Sequence, residues 1–231
     1  MHLYSKLSAL GAVLVLSTAF ASADTISSSS TTVTFGGFTL AAPNPASLPS
    51  GSGPTFNLDP GTTWFGPIGT SSWVGSTLHS GPVGTVDPPR GYYTYNYALD
   101  PVGGAGSYAL ALQVLADDTT EVVLNGAVII PFGGLGGDHH CASNAPGCDA
   151  GTLYTLPSTT EILGATNTLS FVVRQAGTEA PGLDPEGVDF SGSVTKGTSS
   201  LTPEPSTLLL LGTGLVGSAG ALFRRMRAAT K

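Results

Sequence analysis

Between residues 92 and 116 the chain alternates in a way only one kind of structure can satisfy. Tyr93, Tyr95, Tyr97 and Leu99 fall on one side of an extended segment, with Thr94 and Asn96 on the other. In Ser107 to Ala116, Tyr108, Leu110, Leu112 and Val114 share one side, and Ala109, Ala111 and Gln113 the opposite one. A period of two marks a half-buried strand, and a strand greasy on one face needs a second sheet to cover it. The expectation is an all-β, antiparallel, jelly-roll-like sandwich. The 32 Gly and 17 Pro among 231 residues argue the same way, because they interrupt helices and supply tight turns.

Further strands are expected at Thr31 to Leu40, Thr62 to Phe65, Ser72 to Leu78, Glu121 to Leu124, Ala127 to Pro131, Leu153 to Leu156, Leu169 to Gln175 and Val188 to Val194. Asn125-Gly126 between two β-rich runs predicts a hairpin, since a type I′ turn needs positive φ at both central residues. The Pro/Gly/Ser-rich stretch Ala41 to Pro54 reads as a long surface loop.

The two ends read as addresses. Lys6, the apolar run Leu7 to Leu16 and Ala21-Ser22-Ala23 are the charged, greasy and small-residue parts of a secretory signal, with cleavage after Ala23. That apolar run is about half the ~20 residues a membrane span requires. At the other end, Pro203-Glu204-Pro205 precedes the apolar stretch Leu208 to Phe223, followed at once by Arg224, Arg225 and Arg227. Sixteen helical residues reach about 24 Å, slightly short of a hydrocarbon core of about 30 Å. The basic flank stays cytoplasmic, so both signals send the middle of the chain outward. The resulting division is 1–23 signal peptide, 24–30 flexible Ser/Thr leader, 31–196 sandwich, 197–205 linker and 206–231 transmembrane helix with basic tail.

Pro-Glu-Pro, a glycine-bearing apolar helix (Gly212, Gly214, Gly217, Gly220) and a terminal Arg cluster, in that order, resemble the PEP-CTERM sorting signal. That resemblance covers about the last thirty residues. It implies processing near Pro203 to Pro205 by an exosortase, a membrane-embedded cysteine transpeptidase of Gram-negative bacteria that make exopolysaccharide. It also implies the general secretion machinery as a partner, and delivery to the cell surface or matrix. Asp117-Asp118, the Asn125-Gly126 hairpin and the Asn167-Thr168-Leu169 approach to a late strand are similar to galactose-binding-like jelly-roll domains over roughly Tyr92 to Val194. Such a scaffold serves many tasks and implies none by itself.

From Asp24 to Thr202 there are fourteen acidic residues against Arg90, Arg174 and Lys196, a net charge of −11. Phosphate binding needs clustered Lys and Arg, so nucleic acid is excluded as a partner. Cys141 and Cys148 enclose a short Pro/Gly-containing loop, and outside the cytoplasm their default is a disulfide. Asp138, His139, His140, Cys141, Cys148 and Asp149 also include ligand types that zinc accepts, but the two readings compete for the same sulfurs. Asp117, Asp118 and Glu121 offer hard oxygen ligands suited to calcium. Asp-Asp-Thr-Thr is equally good turn chemistry, and the spacing lacks the loop pattern of dedicated calcium sites.

Tyr92, Tyr93, Tyr95, Tyr97, Trp64, Phe65 and Trp73 are the aromatics a sugar-stacking face would use, although alternate tyrosines more often fill a core. No nucleophile elbow, zinc-protease helix, phosphate loop or dinucleotide fingerprint is present. The sequence therefore reads as an exported, non-catalytic structural or glycan-contacting protein. A secreted glycoside-active enzyme would instead need two carboxylates facing across a groove. An ice-binding or adhesive protein would need a regular Thr array, and no internal repeat supplies one.

Overall fold

The computed structural model describes residues 23–100, 104–133, 154–177 and 184–197, with 213–214, 217–218, 224–225 and 227–229. Eleven strands run through the first four segments: β1 (Ala23–Ser27), β2 (Val33–Thr39), β3 (Phe56–Asn57), β4 (Val74–Gly75), β5 (Gly91–Ala98), β6 (Gly106–Asp117), β7 (Thr119–Leu124), β8 (Ala127–Ile130), β9 (Tyr154–Leu163), β10 (Thr168–Gln175) and β11 (Gly187–Lys196). They form two antiparallel sheets. One is ordered β3-β4-β11-β6-β9, with β1 also paired to β11, and the other β2-β5-β10-β7-β8.

The alternation in the sequence sets which faces meet. Tyr93 and Tyr95 of β5 and Leu169, Phe171 and Val173 of β10 turn inward from one sheet. Tyr108, Leu110, Leu112 and Val114 of β6 and Val188, Phe190 and Val194 of β11 turn inward from the other. Phe171 and Phe190 stack at the middle with ring centroids 3.9 Å apart and planes 12° from parallel. Tyr97 meets the Phe190 ring edge-on at 5.8 Å.

A second, smaller core lies on the outer face of the six-stranded sheet. Leu115 points away from the main core, opposite in phase to Val114, and packs with Leu58, Trp64, Ile68 and Trp73. Residues 58–73 thus form a flap rather than the strand expected at 62–65. Trp64 there closes a turn through its amide on the Pro60 carbonyl, and its indole stacks on Trp73 at 4.2 Å.

Three other differences have local causes. Residues 24–30 are no loose leader, because Ile26 is fully buried and residues 23–27 pair with β11 in the register Ala23↔Thr195. Ser28 then anchors the turn, its hydroxyl donating to the Ser72 carbonyl and to Asp189, each at 2.8 Å. β9 runs seven residues beyond the expected Leu156, through Pro157; among the described residues it pairs only with β6, and the register slips opposite that stretch, the setting in which a sheet tolerates proline. Asp117-Asp118 is no exposed turn either: the chain passes there from one sheet to the other, with both residues buried.

The hairpin at Asn125-Gly126 has φ of 51° and 86° at its two central residues, as expected. The loop at 41–54 folds back along β2. Phe35 and Gly53 exchange backbone hydrogen bonds, and Gly51 donates to the Gly36 carbonyl. A Cβ on Gly36 would lie 2.5 Å from the Pro49 carbonyl oxygen, so this close approach requires glycine. The loop thereby covers an edge that would otherwise invite strand addition.

The sandwich ends at Gly197, and residues 198–231 are a separate unit. Among its described residues, 213–214, 217–218, 224–225 and 227–228 are helical. No helix among the described residues is long and apolar enough to cross a membrane. The expected span at 208–223 falls largely outside those residues, as do the signal segment through Ser22, Cys141, Cys148, the His139-His140 cluster and Pro203 to Pro205.

Truncation of Phe171 to Ala removes one half of the central stack and leaves a cavity between the sheets. The expected cost is about 3–5 kcal/mol, read as a lowered urea midpoint with little change in m-value.

Candidate functional site

The outward-facing positions of the five-stranded sheet carry hydroxyls and amides side by side. Registers place Thr34 of β2 beside Asn96 of β5, and Asn96 beside Ser170 of β10. Next along are Ala98 and Thr168, also paired across β5 and β10. These residues floor a groove of about 510 Å³, walled by residues 45–52 of the folded-back loop and by the Asn125-Gly126 hairpin. The wall is held by a 3-10 turn, Pro45–Ser47, which Asn44 caps by accepting from the Ala46 amide at 3.0 Å.

Asn96 is clamped at the centre of the floor. Its Oδ1 accepts from the Ser170 hydroxyl at 2.7 Å, and its Nδ2 donates to the Pro49 carbonyl at 3.1 Å. Asn125 is fixed likewise: Nδ2 donates to Asn167 at 2.9 Å, and Oδ1 accepts from the Thr168 amide at 3.0 Å. None of the residues lining the groove is ionisable. Sequence reading missed this site. The signal available was Thr94 and Asn96 on the polar side of the tyrosine strand; the loop and the neighbouring strands that complete the groove come from distant segments.

The sequence-based candidates lie elsewhere. Tyr93, Tyr95, Trp64 and Trp73 are buried in the two cores, and Tyr97 is half-buried against the main one, so none offers a ring to a ligand. Tyr92 faces outward, meeting Phe132 edge-on at 5.9 Å, and Phe65 is exposed on the flap. The three expected calcium ligands do not converge. Asp117 ends β6 beneath the flap, its Oδ2 accepting from the Trp64 indole at 2.7 Å. Asp118 accepts from the Ala176 amide at 2.6 Å. Glu121 points outward from β7, where its register partner is Val172. Among the described residues no three His, Cys, Asp or Glu side chains gather as metal ligands would.

What the structure does bring together, at the other end of the sandwich from the groove, is a set of buried acids. Asp117, Asp118, Asp184 and Glu186 are all within 3% of complete burial. Glu186 accepts from the Tyr95 hydroxyl and, at 3.3 Å, from that of Ser76. Asp189 receives the Ser28 hydroxyl and the Ile68 amide, each at 2.8 Å, and so ties the flap to the six-stranded sheet. Burial pushes Asp117 well above the usual carboxylate range, and the neighbouring Asp118 charge adds to the rise. Burial raises Asp189 too, and lifts Glu186 to about 7. The bonds of Asp117, Asp118, Glu186 and Asp189 run to Trp64, Ala176, Tyr95, Ser76, Ser28 and Ile68, which belong to the flap, the strands and the turns between them. The opposed, accessible carboxylates of a glycosidase are not formed by these side chains.

A PEP-CTERM protein-sorting motif matches residues 201–227, which marks the chain for export and sorting to the cell envelope or surface. No curated protein matches the chain. Among solved structures it is similar to a family 35 carbohydrate-binding module from Clostridium thermocellum, at 12% identity and a TM-score of 0.34, over 74% of this chain and 97% of that one. A second such module, from Paenibacillus barcinonensis, gives 15% identity and a TM-score of 0.32 over 75% and 99%. The GH26-CBM35 β-(1,4)-mannanase of Podospora anserina gives 17% and 0.38, over 78% of this chain and 29% of that enzyme.

Two outcomes follow from the buried acids. The folded protein holds the Glu186 proton up to about pH 7, whereas the unfolded chain releases it near 4.5. That stability is complete below about pH 4.5 and is lost as pH rises through 7, an effect of roughly 3 kcal/mol from this group. Thermal midpoints should therefore fall between pH 5 and 8, and Glu186→Gln should flatten that slope while leaving the Tyr95 hydroxyl an acceptor. Trp64→Phe strips Asp117 of a buried donor and should cost about 1–3 kcal/mol in chemical denaturation.

Proposed function

We propose that this chain is an exported, non-catalytic surface or matrix protein whose sandwich contacts polysaccharide. The observation that carries this reading is the groove beside the 45–52 loop, an open trough lined by hydroxyls, amides and short apolar groups. Such a lining matches the chemistry of a sugar chain. The sorting motif at 201–227 supports it by directing the domain to the compartment where polysaccharide is met.

In this reading the signal segment through Ala23 is removed on export, exosortase acts near Pro203 to Pro205, and the Cys141–Cys148 pair is oxidised. Cosedimentation of the protein recovered from its own cell surface with that cell's exopolysaccharide should be saturable. It should also survive a calcium chelator, because Asp117, Asp118 and Glu121 form no shared site. Absence of binding would leave a structural, protein-contacting role. Intact mass of the mature protein should lack both the first 23 residues and the apolar segment from Leu208 onward; retention of that segment would remove exosortase from the account.

A further inference from the structure

Resting on that reading, we infer that the groove selects an uncharged stretch of glycan chain and discriminates against acidic polymers. The floor offers a row of donors and acceptors, Thr34, Asn96, Ser170 and Thr168, spaced by the strand registers rather than scattered. Asn96 is oriented by Ser170 and Pro49, and a carboxamide has two N–H donors, so one remains to meet a hydroxyl. Ala98, Pro45 and Pro49 give the groove apolar patches that suit the C–H faces of a sugar ring.

The lining contains neither Lys, Arg nor His to neutralise a uronate or sulfate, and neither Asp nor Glu to hold an amino sugar. Residues 24–202 carry a formal excess of acidic over basic residues, fourteen against three, so the domain as a whole offers no basic surplus to draw a polyanion toward the groove. The volume of about 510 Å³ falls within the range of small-molecule sites, about 300–1,000 Å³. With no aromatic platform in the groove, each contact is weak, and retention at a surface depends on many copies engaging one polymer.

The test separates the cell's exopolysaccharide on an anion exchanger into uncharged and acidic fractions, each cast into native gels. The full chain, kept in mild detergent, is run through both. The expected result is retardation by the uncharged fraction that is constant between about 0.05 and 0.5 M salt, since no ion pair is involved. Ala98→Trp, at an exposed end of β5, fills the trough, and Thr168→Asp places a charge on its floor. Each should weaken retardation at least tenfold with an unchanged melting midpoint, whereas Leu78→Ser, outside the groove, should match the parent protein. Retardation by the acidic fraction alone would overturn the selectivity. Undiminished binding in both groove variants would overturn the site but leave the glycan-contacting reading standing, and no retardation by either fraction would overturn both.

Discussion

Phe190 on Phe171 is the contact through which the two sheets become one domain. Phe190 sits on β11, which carries β6 along one side and β1 and β4 along the other. Phe171 sits on β10, which is flanked by β5 and β7. The stack therefore joins the central strand of each sheet, and Tyr97 closes its edge. The ring pair bridges the two sheets at their middle, and the alternation of each strand decides which side chains join it in the core. The hydroxyl and amide row at Thr34, Asn96 and Ser170 faces outward for the same reason that Tyr95 and Phe171 face inward.

The buried acids show a different economy. An isolated carboxylate in a protein interior is costly, and proteins accept one where it is protonated or ringed by donors. Both solutions occur here. Asp189 gathers a hydroxyl and an amide from two distant segments, while Glu186 lies where its proton is retained up to about pH 7. These side chains fasten the flap, the approach to β11 and the tyrosine strand at one end of the sandwich. The opposite end is left free to carry a groove in which nothing ionises.

Much of the architecture was legible in the sequence because period-two patterns and an Asn-Gly turn are local signals. The tyrosine strand, the long β6 and the hairpin at Asn125-Gly126 all follow from a few neighbouring residues. Where the pattern was weak, burial was decided by distant partners. Ile26 gave one apolar residue among serines and threonines, and only its pairing with β11, more than 160 residues away, makes it a strand residue. Asp117 looked like turn chemistry because nothing in its surroundings announces Trp64, 53 positions earlier, as its hydrogen-bond donor. The groove was hidden for the same reason, being assembled from β2, β5, β10, a loop and a hairpin whose only common property in sequence is small polar side chains. The address, by contrast, is a linear code read by other proteins, and the motif at 201–227 could be seen without any fold at all.

The placement of β11 also decides how the domain bears load. The strand that ends the sandwich, β11, has its ten residues paired to β6 from Gly187 to Lys196 and to β1 over Ala23–Ser27, so tension applied along its axis would load ladders on both sides. Tension along a strand held on both sides strains its ladders in shear, many hydrogen bonds at once, instead of peeling them from an edge one by one. Among the described residues β8 and β9 are each paired on one side only, and a strand held so would peel under the same force. The last strand of the sandwich is thus one of its most securely paired, not a frayed edge from which the fold could be opened.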